Sequence, residues 1–196
     1  SSSQLAQRDL RYVALSDYDS FSDDIDGEGS GFDLARKRIQ VAGSAGMCLV
    51  ESSPKRAITT TDWVQDGPHQ APPVDGGILP LYNRGDRRRW QWQCIDGCGA
   101  WFEAPPLPAY DDHQDIAEAA ASAHVACPSC GQIYRPIDKD RLNQSARGVW
   151  VPEGCSRDID GNLIGRPRSS KIASFWMFGC AAAFQSWPSL VTNHLQ

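Results

Sequence analysis

The sequence predicts a mixed α/β protein into which a small cysteine-clamped ribbon is inserted. Two observations carry this expectation. An apolar β-prone run at residues 11–15 leads through an acidic loop and a helical pattern to a second apolar run at 47–50, the order of half a parallel α/β unit. Further along, Cys94, Cys98, Cys127 and Cys130 form two close pairs, CIDGC and CPSC, at metal-ligand spacing.

Composition sets the outer bounds. A chain of 196 residues with 41% hydrophobic and 22% charged residues is ordinary for a globular protein of one domain or two small ones. No apolar run approaches membrane-spanning length. A net charge of −5 argues against a surface that coats nucleic acid, so any DNA contact is local. The chain opens SSSQLAQ without methionine and stops inside a helical pattern at HLQ, which reads as a fragment of something longer.

After the strand RYVAL come Ser16, Asp17, Tyr18 and Asp19. A strand that delivers carboxylates at its C-terminal end puts them where open α/β sheets bind ligands, and an acid there holds magnesium or orients water in nucleotide hydrolysis. The plain alternative is a solvated acidic loop, because Asp23, Asp24, Asp26 and Glu28 extend the charge run. Residues 32–41 suit a helix with Phe32, Ala35 and Ile39 on one face, ended by Gly43 and Gly46. The strand at 47–50 runs into Glu51-Ser52-Ser53-Pro54, and residues 55–83, rich in Pro and Gly, read as a connector.

Next stands a basic cluster, Arg87, Arg88 and Arg89, followed by Trp90 and Trp92 on what should be the first strand of the ribbon. Arginine beside aromatics grips phosphates and stacks on bases, so Arg87, Arg88, Arg89 and Trp90 are the candidate nucleic-acid contact; the alternative is that the arginines pair with the acidic loop of the first half. The alanine-rich residues 111–125 predict a helix capped by Asp111 or Asp112, with Asp115 and Glu118 near its start. Residues 148–152 read as a closing strand, 153–170 as a polar loop and 172–178 as β-prone, and Ser186-Trp187-Pro188 opens a terminal helix.

The cysteine pairs predict one structural Zn2+. Each pair fits a tight turn that aims two thiolates at a metal about 2.3 Å away, and four thiolates close the shell against a catalytic water. Gly99 and Gly131, directly after the second cysteine of each pair, supply the permissive backbone such turns use. His113 and His124 lie between the pairs but are not needed as ligands. Merely buried cysteines are disfavoured by the spacing, and disulfides by the odd count of seven and by the lack of a signal-like segment, which favours a reduced, cytoplasmic setting. Cys48, Cys155 and Cys180 read as small apolar residues.

The ordered set of motifs resembles the lambda-type large terminase subunit of tailed phages, the ATP-driven motor that packages and cuts DNA. VALSDYDSF is similar to that family's Walker B strand, DDIDGEGS with the KRI helix to its continuation, and ESSPKR to its Ser/Thr-Pro coupling motif. The paired cysteines, the strand at Arg147-Gly148-Val149-Trp150 and the segment SFWMFGCAAAFQSWPSLV resemble the later segments of the family. The resemblance implies a partial P-loop-type parallel sheet, its Walker B half, with an inserted four-cysteine zinc ribbon. In that layout 1–83 is the distal half of the ATPase domain, 84–152 the ribbon, and 153–196 a return to the α/β body leading toward a nuclease.

By the same resemblance Asp17 and then Asp19 are the catalytic carboxylates, and Ser52 and Ser53 sense the γ-phosphate. The family's Asp-Glu pair falls on Ser16-Asp17 or, shifted by one, on Asp17-Tyr18, so Asp17 is functional in either register, as the metal-side or the catalytic acid. The partners implied are double-stranded DNA, the terminase small subunit, the portal and further copies of the chain, in the host cytoplasm and without a membrane. The sequence contains no G-x-x-x-x-G-K-[ST], so Mg2+ and ATP are expected only in a full-length protein, and this chain alone is expected to be inactive as ATPase and nuclease. Two other readings are a free-standing zinc-ribbon module of phage origin that binds DNA or protein, and a metal enzyme built on Asp23, Asp24 and Asp26.

Overall fold

The computed structural model of the protein describes residues 9–196; the opening SSSQLAQ lies outside the described residues. The chain divides into two compact units, one formed by the described residues up to Asp66 with Gln70–Arg84, the other by Gly67–His69 with Gly85–Gln196.

The first unit is built on strand β1 (Tyr12–Leu15), helix α1 (Gly31–Ile39), strand β2 (Met47–Val50) and helix α2 (Ile78–Arg84). β1 and β2 pair in parallel, with Tyr12 opposite Met47 and Leu15 opposite Val50. Alternation sends Val13 and Leu15 inward and leaves Tyr12, Met47 and Leu49 exposed on the other face. Ser30 caps α1 by accepting the Asp33 amide at 3.2 Å, and Phe32, Leu34 and Ala35 bury its apolar side. A short 3-10 turn follows the helix, and Gly43, at φ 55°, ends the run. The expected connector at 55–83 contains one regular element that the sequence did not announce. Pro80 falls in the first turn of α2, where a missing N–H is tolerated, and Asn83 holds both the N–H and the carbonyl of Ala71 at 2.9 and 3.0 Å.

The second unit carries β3 (Arg88–Gln93), β4 (Trp101–Glu103), α3 (Ile116–Ala121), β5 (Val125–Ala126), β6 (Ile133–Tyr134), α4 (Lys139–Leu142), β7 (Gly148–Val151), β8 (Cys155–Arg157), β9 (Leu163–Gly165), β10 (Phe175–Trp176) and α5 (Trp187–Leu195). β3 is the centre of a four-stranded sheet, antiparallel to β4 and β7 and parallel to β10. Trp92, Phe102, Tyr134, Leu142, Trp187 and Val191 form the core beneath it. Asn143 staples that core, since its side-chain oxygen accepts both the Trp90 and Trp92 indoles at 3.0 and 2.8 Å while its amide donates to Ala181 at 2.9 Å.

Two local expectations change here. The helix expected over 111–125 is shorter, because Asp115 is the cap, accepting the Ala117 and Glu118 amides at 2.7 and 3.2 Å, while the Asp111 N–H donates to Ser122. Residues 153–170 form the antiparallel β8–β9 hairpin rather than only a loop. Residues 153–196 share the unit of the cysteine pairs, with β10 pairing to β3 and α5 supplying Trp187 and Val191 to the same core. The fold is therefore mixed α/β with small sheets.

Candidate functional site

At the C-terminal ends of β1 and β2 the chain turns sharply, and side chains from both strands meet. Asp17 takes the left-handed conformation at φ 53°, which Asp tolerates better than most residues. Its carboxylate accepts the Ser20 hydroxyl at 2.6 Å and lies 3.4 Å from the Lys55 ammonium. These two partners hold the exposed Asp17 carboxyl below the usual carboxylate range, so it is ionised at neutral pH.

Glu51, directly after β2, stands beside it. Its carboxylate accepts the Ser16 hydroxyl and the Asp17 N–H, the latter at 3.2 Å, and its carbonyl accepts the Tyr18 N–H at 3.1 Å. Two exposed carboxylates from neighbouring parallel strands thus face the same end of the sheet. Sequence reasoning did not single out Glu51, although an acid directly after the second of two parallel strands was the available signal.

Asp19 is placed differently. It is buried, and its carboxylate accepts three backbone amides, Ile78 at 2.7 Å, Lys55 at 2.8 Å and Arg56 at 3.3 Å. Its own N–H donates to the Ser52 hydroxyl at 3.0 Å, which ties the two loops together. Ser53 is exposed at the start of the next loop. Of the acidic cluster, Asp23 chelates the Arg56 guanidinium at 2.7–2.8 Å and Asp24 caps the Gly27 and Gly29 amides at 3.0 and 2.8 Å. These contacts shape the loop.

In the second unit the four cysteines converge. Their sulfurs all lie within 4.8 Å of one another, with Cys94 and Cys130 3.7 Å apart and Cys98 and Cys127 3.9 Å apart. A tetrahedral site with metal–sulfur bonds of about 2.3 Å has sulfurs about 3.8 Å apart, so the spacing and the all-thiol donor set fit a metal of the zinc type. Gly99 and Gly131 adopt φ 73° and 76°. Gly97 is required for another reason, since a Cβ there would come within 2.8 Å of Cys94 Sγ and 2.9 Å of Cys130 Sγ. The Gln132 and Cys98 backbone amides pull the Cys130 thiol down, while desolvation and the neighbouring thiols push that of Cys98 up. The buried Tyr134 hydroxyl donates to Cys94 Sγ at 3.3 Å as an outer support. His113 faces Glu118 at 3.6 Å and His124 bonds the Ser122 carbonyl, so neither belongs to the cluster.

The basic cluster differs from its expected exposure. Arg87 is buried and pairs with Glu153 at 3.1 Å; Arg89 is buried 3.8 Å from Glu103, with its guanidinium over the Trp176 and Phe178 rings at 4.2 and 4.7 Å. Arg88 is half-exposed and paired with Asp86 at 2.8 Å, and Trp90 is half-buried with its indole on Asn143. A buried guanidinium needs a carboxylate and hydrogen bonds to offset its lost hydration, and these arginines find their acids within their own unit rather than in the acidic loop of the first.

Among the described residues no helix is long and apolar enough to cross a membrane. A search of curated proteins and a search of solved structures found no match. The family model for the phage terminase large subunit gpA, ATPase domain, matches residues 1–150. With well over half of its length matched, and with a parallel strand pair ending in carboxylates followed by a four-cysteine centre, the chain belongs to the gpA family of phage terminase large subunits.

Proposed function

We propose that this chain supplies the Walker B half of a P-loop-type packaging ATPase together with a structural zinc ribbon. The observation that carries the reading is the parallel β1–α1–β2 unit with Asp17, Glu51 and Ser52 gathered at one strand end. Asp17 is the carboxylate offered to the magnesium of bound ATP or to the attacking water, and Glu51 provides the second acid that Ser16 does not. Asp19 serves as the structural hub of that end. Ser52 and Ser53 lead into the following loop and report nucleotide state along it. The exposed apolar face of Tyr12, Met47 and Leu49 supports a further layer packed against this strand pair, because parallel sheets are covered on both faces.

Cys94, Cys98, Cys127 and Cys130 would hold the zinc, which would clip the ribbon as a structural ion and leave hydrolysis to the first unit's acids. These 196 residues contain no phosphate-binding loop, so in this reading the chain alone does not hydrolyse ATP. Within a motor that provides that loop, Asp17→Asn abolishes ATP hydrolysis and DNA translocation while the cysteine centre keeps its metal. Motor-like turnover by the purified chain, or full activity of the Asp17→Asn motor, overturns the reading. A second reading, a zinc-ribbon binding module, is favoured by the second unit having its own core; elemental analysis that finds a zinc-loaded chain which binds DNA, with no loss of packaging in the Asp17→Asn motor, would select it.

A further inference from the structure

We propose that a basic groove on the second unit grips the phosphodiester backbone of double-stranded DNA, an inference that rests on the packaging reading and moves the contact away from the buried arginines. The groove is a concavity of about 610 Å³ walled by Arg88, Arg157, Arg168, Trp150, Ser169 and Ser170. One rim is the exposed run 163–171, which carries Arg166, Arg168 and Lys171 and no carboxylate. In a chain of net charge −5 this is a local reversal of sign.

Two of the groove's three arginines, Arg157 and Arg168, are fixed in place by neutral groups. Arg168 donates from its N–H to the Glu153 carbonyl at 2.9 Å and from Nε to the Gly85 carbonyl at 3.2 Å, and no carboxylate pairs with it among the described residues. Arg157 donates to the Gly161 carbonyl and lies 5.8 Å over the Trp101 ring, again without a carboxylate partner among the described residues. Asp86, the one acid in the lining, is already engaged, with Arg88 at 2.8 Å and with the Ser174 N–H at 3.0 Å. Guanidinium groups held by backbone carbonyls keep their positive charge available, and the Ser169 hydroxyl in the same lining adds a neutral donor of the kind phosphate oxygens take.

The cations also continue along the rim past the groove, through Arg166 and Lys171, which suits a linear polyanion better than a single small anion. Duplex DNA carries about one charge per 1.7 Å of axis, so a short run of three cations meets several phosphates. No base-reading constellation accompanies them, so the contact is independent of sequence and positions the duplex.

The test is fluorescence anisotropy of a random-sequence duplex with the metal-loaded 196-residue chain across a series of salt concentrations. Two variants are compared with the native chain, Arg166→Glu/Arg168→Glu/Lys171→Glu and, with every arginine retained, Ser169→Glu. Circular dichroism and metal content establish that each is folded. The triple variant is expected to lose about tenfold or more in affinity at low salt and to lower the slope of log K against log salt by about 2.7, while Ser169→Glu weakens binding in the same direction. If the triple variant does not fold, a Ser169→Glu protein that binds as tightly as the native chain overturns the groove by itself. Salt-dependent binding that persists unchanged in folded variants refutes the groove and leaves the DNA-binding reading standing. A native chain that shows no salt-dependent binding removes both.

Discussion

Replacing Asp19 by Ala decides whether this residue is a structural hub or a catalytic acid. The substitution strips three backbone amides of one shared acceptor, Ile78 at 2.7 Å, Lys55 at 2.8 Å and Arg56 at 3.3 Å, at a buried carboxylate. Leaving a buried donor without its acceptor costs about 1–3 kcal/mol, more when the acceptor is charged. The two short bonds dominate and water partly relieves the third, so the loss is about 3–5 kcal/mol, a large part of the roughly 5–15 kcal/mol that holds a domain folded. Asp19→Asn keeps one acceptor oxygen and should lose about half as much. Urea unfolding gives the total, and amide hydrogen exchange at Lys55, Arg56 and Ile78 reads the three bonds one by one. Native protection at these amides with an unchanged midpoint in Asp19→Ala would refute the hub and return Asp19 to the chemistry.

Four further outcomes are expected. Chelation, or Cys127→Ser, removes the metal and with it the exchange protection of the β5–β6 pair, measured by elemental analysis and amide exchange; a metal-free chain that keeps that protection contradicts a structural metal. Glu153→Ala strands the buried Arg87 and costs about 3–5 kcal/mol by chemical denaturation, against little effect from removing the exposed Lys55–Asp17 pair. Asn143→Ala takes away one acceptor shared by two indoles and one donor, lowering stability by about 2–4 kcal/mol and shifting tryptophan fluorescence. Because Ser20 and Lys55 hold Asp17 below its ordinary value of 3.8, the stability that these contacts lend is present above that value and is lost as pH falls through the lowered folded one; an NMR titration of the Asp17 carboxyl in Ser20→Ala should move back toward 3.8.

Local patterns were legible in the sequence. Short apolar β-prone runs located β1 and β2 because such a run is a property of neighbouring residues, and the paired cysteines with their trailing glycines announced the four-cysteine cluster because ligand spacing is set by one turn of chain. Ser186 marked its helix start for the same reason. Glu51 lay in plain view but could be joined to Ser16 and Asp17 only through the parallel register of two strands. The alanine-rich stretch offered three aspartates near its start, and only the folded chain shows that the carboxylate accepting the first helical amides is that of Asp115.

The amino-acid order alone is enough to identify the pieces: a strand, helix and strand ending in acids, a four-thiol clip, and the ordered motifs of a terminase ATPase domain. Which charges face water depends instead on how distant segments pack. Arg87 finds Glu153 66 residues away and Asp19 finds the Ile78 amide 59 residues away, separations over which no sequence pattern specifies contact. Burial turns such partners into a requirement, since a charge removed from water must be matched by a fixed group of opposite sign or by oriented dipoles. For that reason the conspicuous triplet of arginines became mostly interior structure, and the cations of the proposed DNA groove lie around the β8–β9 hairpin that the sequence presented as a loop.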